Sequence, residues 1–502
     1  MYKNIVVLIT DTFRHDNLGD RAERPVRTPE LDRFAAGRAT EITNCYMGSF
    51  PTIPHRTDFA TGVLGWPHYG WQAIDQSGPN HAGQMLGKQG YATQLICDCP
   101  HLFNARFQHG FDAAYQHRGQ EGDKPLLHLN DPIEMIVPDD KTRLHPIYRG
   151  QSMANQHRWT NRYYRYETDV FSSRTASTTV RWLEENSEAD PFFLWVDFFD
   201  PHEPWDPPEY LVRRYDSDYN GPPMMHPNYG PSSAYTPEEL HNLWAHYAAE
   251  AEMVDRHIGQ VLQKMEDLQL WDDTIVVVMS DHGMSLGEHD RTGKSNIQET
   301  DGRYWPIYPE IGHAMLLVAG GDVPRGQSLP LITQPIDLFP TLCDLAGVTV
   351  EPPKPFDGLS FAQAVLNGEN AHRDYAVSGC HIKTEGANPP RRSTMPFLVT
   401  DRWGYAPVGA YGRPELYDLI VDPLAANNLA DDHKAVVNDL HAYSWQTWPG
   451  IRRLRTSCRS GRRNRITKPA TVSGPSITRM NRIGGNFRFC RPDRHTGSGY
   501  TQ

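Results

Sequence analysis

Cysteine is scarce: the 502 residues hold seven, an odd number. Only Cys97 and Cys99 lie close together, and no pair has the CxxC spacing of a zinc site. That argues against a disulfide framework and a thiolate zinc centre, so a reduced, cytoplasmic chain is expected. Long apolar runs are missing as well. None approaches the ~20 residues a spanning helix needs, so no membrane partner is expected. Met1-Tyr2-Lys3-Asn4 passes straight into an apolar segment, which leaves no room for a signal peptide. With 38% hydrophobic and 22% charged residues the chain is globular rather than disordered. Its length fits one large α/β domain with a satellite, or two to three domains.

The formal charge of −12 argues against a nucleic-acid partner, yet it averages unlike pieces. Residues 451–502 carry 13 Lys/Arg against one acid, Asp493, leaving 36 basic and 60 acidic residues in 1–450. This basic tail has three readings: an arm for anionic surfaces, a disordered extension, or translation out of frame. Disordered or non-native sequence is the expectation for it.

Continuous apolar runs read as strands buried on both faces of a parallel sheet. They are Ile5–Ile9, Thr93–Ile96, Phe192–Val196, Ile275–Met279 and Met315–Val318. Residues 237–266 space Leu240, Leu243, Tyr247, Ala251, Val254, Ile258, Val261 and Met265 by threes and fours, which predicts one helix. Thr236-Pro237-Glu238-Glu239 supplies its N-cap, first-turn proline and capping box. Alternation of such strands and helices predicts a doubly wound α/β sheet. Four runs end in Asp or His: Thr10-Asp11-Thr12, Cys97-Asp98-Cys99-Pro100-His101, Asp197 through His202, and Ser280-Asp281-His282. In open α/β sheets the site lies beyond the carboxyl ends of the strands, so these four ends should converge.

With these residues in place, the chain resembles the sulfatase family of the alkaline phosphatase superfamily. Ile9-Thr10-Asp11 with Arg14-His15-Asp16-Asn17 resembles the family's first metal-binding strand end. Thr52-Ile53-Pro54-His55-Arg56 sits on its nucleophile signature, and Asp281-His282-Gly283 with Gly293-Lys294 on its second metal segment. Asp337–Leu342 and Glu415–Leu419 through Asn428 are similar to its later signposts. The resemblance implies a central, mostly parallel, alkaline-phosphatase-like sheet sandwiched by helices over residues 1–375, with a smaller α+β subdomain over 376–450. It also implies a hydrolase of sulfate or phosphate esters that acts on a small anionic ester.

Three positions depart from the family pattern. Sulfatases usually carry Cys or Ser where this chain has Thr52, and oxidise it to formylglycine. Thr cannot mature in that way, so no formylglycine is expected. Thr12 stands where a second Asp is frequent, and Cys99 where a lysine is usual. A Thr nucleophile matches the phosphodiesterase branch, which favours phosphodiesters or phosphonate monoesters. The alternatives are a sulfuric ester hydrolase that works without formylglycine, and a catalytically silent anion-binding member.

The expected metal ligands are Asp11, Asp281 and His282, completed by Thr52, with Mn, Zn, Mg or Ca as the ion. Asp200, His202, His289 and His313 leave room for a second metal. Metal coordination activates a Thr hydroxyl that is otherwise a poor nucleophile. Arg56 is expected to neutralise the attacked group and hold Thr52, His202 to serve as general acid, and His101 and Lys294 to contact the anion. The aromatic stretches 63–77 and 203–235 are expected to wall the pocket.

Overall fold

A computed structural model describes residues 3–447, apart from 67, 69, 124–136, 139–140, 144–151, 190, 295–302 and 381–395. The basic tail at 451–502 lies outside the described residues.

The apolar runs form strands because each is shielded from water on two sides. In the strand Asn4–Thr10, Ile5, Val7 and Ile9 enter one hydrophobic cluster and Val6 and Leu8 enter another. Alternating side chains of one strand thus feed the cores on both faces of the sheet. Each such Val, Leu or Ile contributes about 1.5–3 kcal/mol of burial.

The spatial order of the nine-stranded sheet is His313–Ala314, Ala39–Tyr46, Leu316–Ala319, Thr274–Ser280, Asn4–Thr10, Phe192–Phe198, Ala92–Cys97 and Ala113–Gln116. Gln327–Thr333 pairs beside Ala39–Tyr46. The predicted helix runs from Pro237 to Asp267, with Thr236 and Glu239 forming the expected capping box. It lays Ala248, Ala251, Val254, Ile258 and Val261 against one face. The helices Thr52–Thr61 and Pro335–Ala346 cover the other, through Ile53, Phe59, Ala60, Leu338, Phe339 and Leu342.

One expectation needs correction. Leu316–Ala319 is antiparallel to both its neighbours, Thr274–Ser280 and Ala39–Tyr46. An apolar run reports burial on two faces but not direction. Direction follows from the connection, and among the described residues between the two strands the one α-helix is the single turn Pro309–Gly312.

A second sheet of five strands joins Glu415–Asp418, Trp403–Ala406, Phe397–Thr400, Tyr375–Cys380 and Ser49–Phe50. Its last member comes from the N-terminal part of the chain and ends two residues before Thr52. The smaller sheet is therefore anchored directly beside the start of the Thr52 helix.

Candidate active site

Three neighbouring parallel strands end at the same level. Thr10 pairs with Ser280 on one side and with Phe198 on the other. Asp11 and Asp281 therefore emerge side by side, and Asp11 and Asp281 each donate a main-chain N–H back to the neighbouring strand. A ligand oxygen or nitrogen from each of Asp11, Asp281 and His282 lies within 4.8 Å of the others, and all three residues are buried.

The donor set suits a divalent ion. His282 Nδ1 lies 2.9 Å from the Gly283 carbonyl, so Nδ1 carries the proton and Nε2 presents a lone pair. That Nε2 lies 3.5 Å from Asp281 and 3.8 Å from Asp11, with no hydrogen-bond partner. Burial pushes the imidazole down to about 3, which keeps it in its neutral, ligating form. Asp11 Oδ2 is likewise buried without a hydrogen-bond partner. Burial would raise the Asp11 carboxyl, but the neighbouring cations, Arg56 first and Lys294 with it, hold it well below the usual range. Asp281 is pushed up, by burial first and by the Asp11 charge second. Two adjacent carboxylates resist joint ionisation, and a divalent cation removes that conflict.

Arg56 is the hub of the site and is completely buried. Its Nε and Nη2 make a bidentate pair with Asp197, both at 2.8 Å. Its Nη1 donates to Asp281 at 2.6 Å and to the Thr52 carbonyl at 3.1 Å, and lies 3.2 Å from Asp11. The guanidinium thus holds the first turn of the Thr52 helix onto the two ligand-bearing strand ends. Thr52 is 2% exposed at the first position of that helix, which closes at Gly62 in a left-handed conformation. Pairing with Asp197 was not expected from the sequence, although Asp197 lies at the penultimate position of its strand, two residues beyond Trp195. His55, one turn after Thr52, is also buried, with both ring nitrogens unpartnered.

Thr12 is not a spare ligand. Its hydroxyl donates to Asp11 at 2.7 Å and accepts from Lys294 Nζ at 2.8 Å. Its N–H donates to Asp281 at 2.9 Å. The residue is β-branched at φ +64°, a conformation that costs about 1–3 kcal/mol and persists where surrounding contacts enforce it.

Lys294 also donates to Glu203, at 3.2 Å, and Glu203 is fully buried and accepts from Tyr229. His202 donates Nδ1–H to the Glu203 carbonyl at 2.6 Å and stacks on Phe199 at 4.0 Å. Burial lowers the His202 imidazole, against the opposing pull of Glu203. His101 lies edge-on to the same Phe199 at 5.6 Å and to Trp71 at 4.9 Å, with Glu121 3.9 Å from its Nε2. Arg56 thus ties the Thr52 main chain to the ligand-bearing strand ends, Lys294 reaches Asp11 through Thr12, and His202 and His101 share Phe199. Sequence reasoning missed Glu203 and Glu121. Glu203 carried one signal, an acid caught between Pro201-His202 and Pro204. Of the expected walls, Trp71 touches His101, whereas Trp66 packs against Gly379 and Trp205 is core.

The residues that left room for a second metal do not form a compact group among the described residues. Asp200 accepts from Gln120 at 2.6 Å. His313 is stacked between His15 and Tyr46, with Nε2 2.6 Å from the Thr43 carbonyl. His289 pairs with Glu310 at 3.0 Å and reaches the Ala425 carbonyl at 2.9 Å. Among the described residues, Asp11, Asp281 and His282 are the one group compact enough for an ion.

His289 instead makes a pH-dependent tie. Burial opposes its charge, but Glu310 outweighs burial and raises the imidazole to about 9. The folded value lies above the unfolded one, so this stabilisation is complete below about pH 6.5 and is lost as pH rises through about 9. At most about 3 kcal/mol is involved. The gap in urea midpoint between wild type and His289→Asn should be widest near pH 6 and close towards pH 9.5. An unchanged gap would contradict the pairing.

The sulfatase family profile matches residues 3–348. An arylsulfatase of Clostridium perfringens is 24% identical over 458 residues, covering 86% of this chain and 91% of the relative. Arylsulfatase K of Mus musculus is 23% identical over 468 residues, covering 87% and 78%. Among solved structures, the phosphonate monoester hydrolase of Agrobacterium radiobacter superposes with a TM-score of 0.68 at 21% identity, over 89% of this chain and 96% of that one. No helix among the described residues is long and apolar enough to cross a membrane. The chain belongs to the sulfatase family and is an ester hydrolase.

Proposed function

We propose that the protein is a divalent-metal-dependent hydrolase of phosphodiesters or phosphonate monoesters, with Thr52 as nucleophile. The observation that carries this reading is Arg56, which joins the Thr52 carbonyl to Asp281 and lies against Asp11. Thr52 opens a helix, where free main-chain N–H groups and the positive end of the dipole favour an anionic ester. In the first step Thr52 Oγ gives up its proton and attacks phosphorus in line, the bond to the leaving oxygen breaks, and His202 Nε2 takes up the released proton and passes it to that oxygen. Water then cleaves the enzyme ester and regenerates the hydroxyl. Lys294 and His101 flank the non-bridging oxygens. Asp11, Asp281 and His282 would hold the ion, which supplies Lewis-acid polarisation and favours the ionised Thr52 hydroxyl. Two carboxylates with one imidazole suit Mn or Zn as well as Mg or Ca.

Phosphorus is favoured over sulfur for a chemical reason. A sulfated Thr lacks the second hydroxyl through which a formylglycine diol expels sulfate, so direct attack by water would have to release it. The relatives named arylsulfatases support the competing reading, a sulfatase that works without formylglycine. A panel of aryl sulfates, phosphodiesters and phosphonate monoesters with each ion decides between them. Turnover of sulfates far above phosphorus esters would overturn the preference, and no turnover at all would leave an anion-binding protein.

Metal removal gives a second readout. Chelation should abolish turnover, and returning the active ion at 1,000 times its Kd should raise stability by about 4 kcal/mol. Asp281→Asn should remove that increment in a thermal melt. An ion that restores neither activity nor melting temperature would exclude the assignment.

A further inference from the structure

Arg143 is a cation next to the crevice that the reaction above does not use. Its guanidinium stands 5.1 Å from the centre of the Tyr229 ring. Among the described residues it has no hydrogen-bonded acceptor and no ion-pair partner. The side chain is only half-buried, so it is open to an incoming group.

Its surroundings are fixed and already satisfied. Tyr229 is 1% exposed and donates to Glu203, the carboxylate that holds Lys294. Gly293, at φ +105°, packs against the same tyrosine, and a Cβ there would sit 3.0 Å from its Cγ. The Tyr229 ring is therefore a rigid support tied to the residue next to Lys294. Glu121 feels the Arg143 charge but is engaged by His101. His226 also feels it. Burial pushes that imidazole down to about 4 and leaves it neutral. Its Nδ1 is taken by the Pro227 carbonyl at 2.7 Å. Among the described residues, Glu121 and Glu203 thus serve other residues.

An arginine keeps its charge at any working pH, and its planar fork matches a carboxylate. An arginine beside the Lys294–Glu203 pair, with no ion-pair partner among the described residues, offers its fork to an anion from outside. We propose that Arg143, held over Tyr229, is a leaving-group subsite that selects esters of alcohols bearing a second anion, a carboxylate above all. This rests on the ester-hydrolase reading and adds to it a substrate class. The reacting ester supplies one negative charge for the metal, and the departing alcohol supplies another for Arg143.

The test uses matched esters of 4-carboxyphenol, its neutral isostere 4-carbamoylphenol, and 4-(trimethylammonio)phenol, each as a methylphosphonate and as a sulfate. The wild-type protein should favour the carboxylate and disfavour the cation. In Arg143→Met the ratio of kcat/KM for carboxylate over carbamoyl ester should fall roughly tenfold, through KM rather than kcat. Arg143→Lys should keep part of the preference. Equal changes for both esters, or no preference in the wild type, would overturn the subsite. Calorimetric titration of the same esters into Thr52→Ala, with and without Arg143→Met, reads the preference without turnover. If neither series is hydrolysed the reaction assignment fails, and the titration still decides whether Arg143 binds the carboxylate.

Discussion

Thr52→Ala should lower kcat/KM by roughly 10⁴-fold or more, because removal of a covalent nucleophile leaves only binding and electrostatic contributions. Thr52→Ser should remain within about tenfold of wild type, since it keeps the hydroxyl that attacks. Arg56 bonds the Thr52 main-chain carbonyl rather than its side chain, so neither change disturbs the hub. The melting temperature should accordingly stay within a few degrees, as for a substitution of one small buried side chain. Rapid quench of the wild type with a slow phosphonate ester, followed by peptide mass measurement, should place the phosphonyl group on the segment containing Thr52. If Thr52→Ala keeps more than about a hundredth of the activity, the nucleophile lies elsewhere.

The second large effect concerns stability. Asp197→Ala should cost about 3–5 kcal/mol, the range for removing one partner of a buried ion pair. Both residues are fully buried, and Asp197 makes two of the Arg56 hydrogen bonds. Arg56→Met should be comparably damaging, because it strands Asp197, Asp281 and Asp11 together. The double variant should lose less than the two single losses added, with a coupling of about 0.5–3 kcal/mol in urea unfolding. Strict additivity would mean that the pair is not the source of the loss.

Legibility in the sequence followed a physical divide. The central strands were readable because burial on both faces demands continuous apolar residues, and their polar ends stood out against that background. Asp11, Asp281 and His282 could be placed at strand ends in this way. Strand direction was not readable, and Leu316–Ala319 proved antiparallel. Partnership was also illegible. Asp197 could be placed at a strand end, but its bond to Arg56 spans 141 residues. His289 and His313 looked like ligands because histidine binds metals; carbonyls and Glu310 claim their nitrogens instead. Glu203 and Glu121 were missed because a buried acid is visible only once its cation has been placed.

The Arg56 hub also bears on how the chain is made. Its two main acidic partners lie 141 and 225 residues further along the sequence. During synthesis the guanidinium emerges long before either carboxylate, so the Thr52 helix cannot be sealed onto the sheet until residue 281 has left the ribosome. Loop closure over such distances makes this a late event in folding. A nascent chain stopped short of Asp281 would therefore hold its nucleophile in an unfinished setting. Hydrolytic competence should be absent from every chain that stops short of Asp281, rather than grow with chain length.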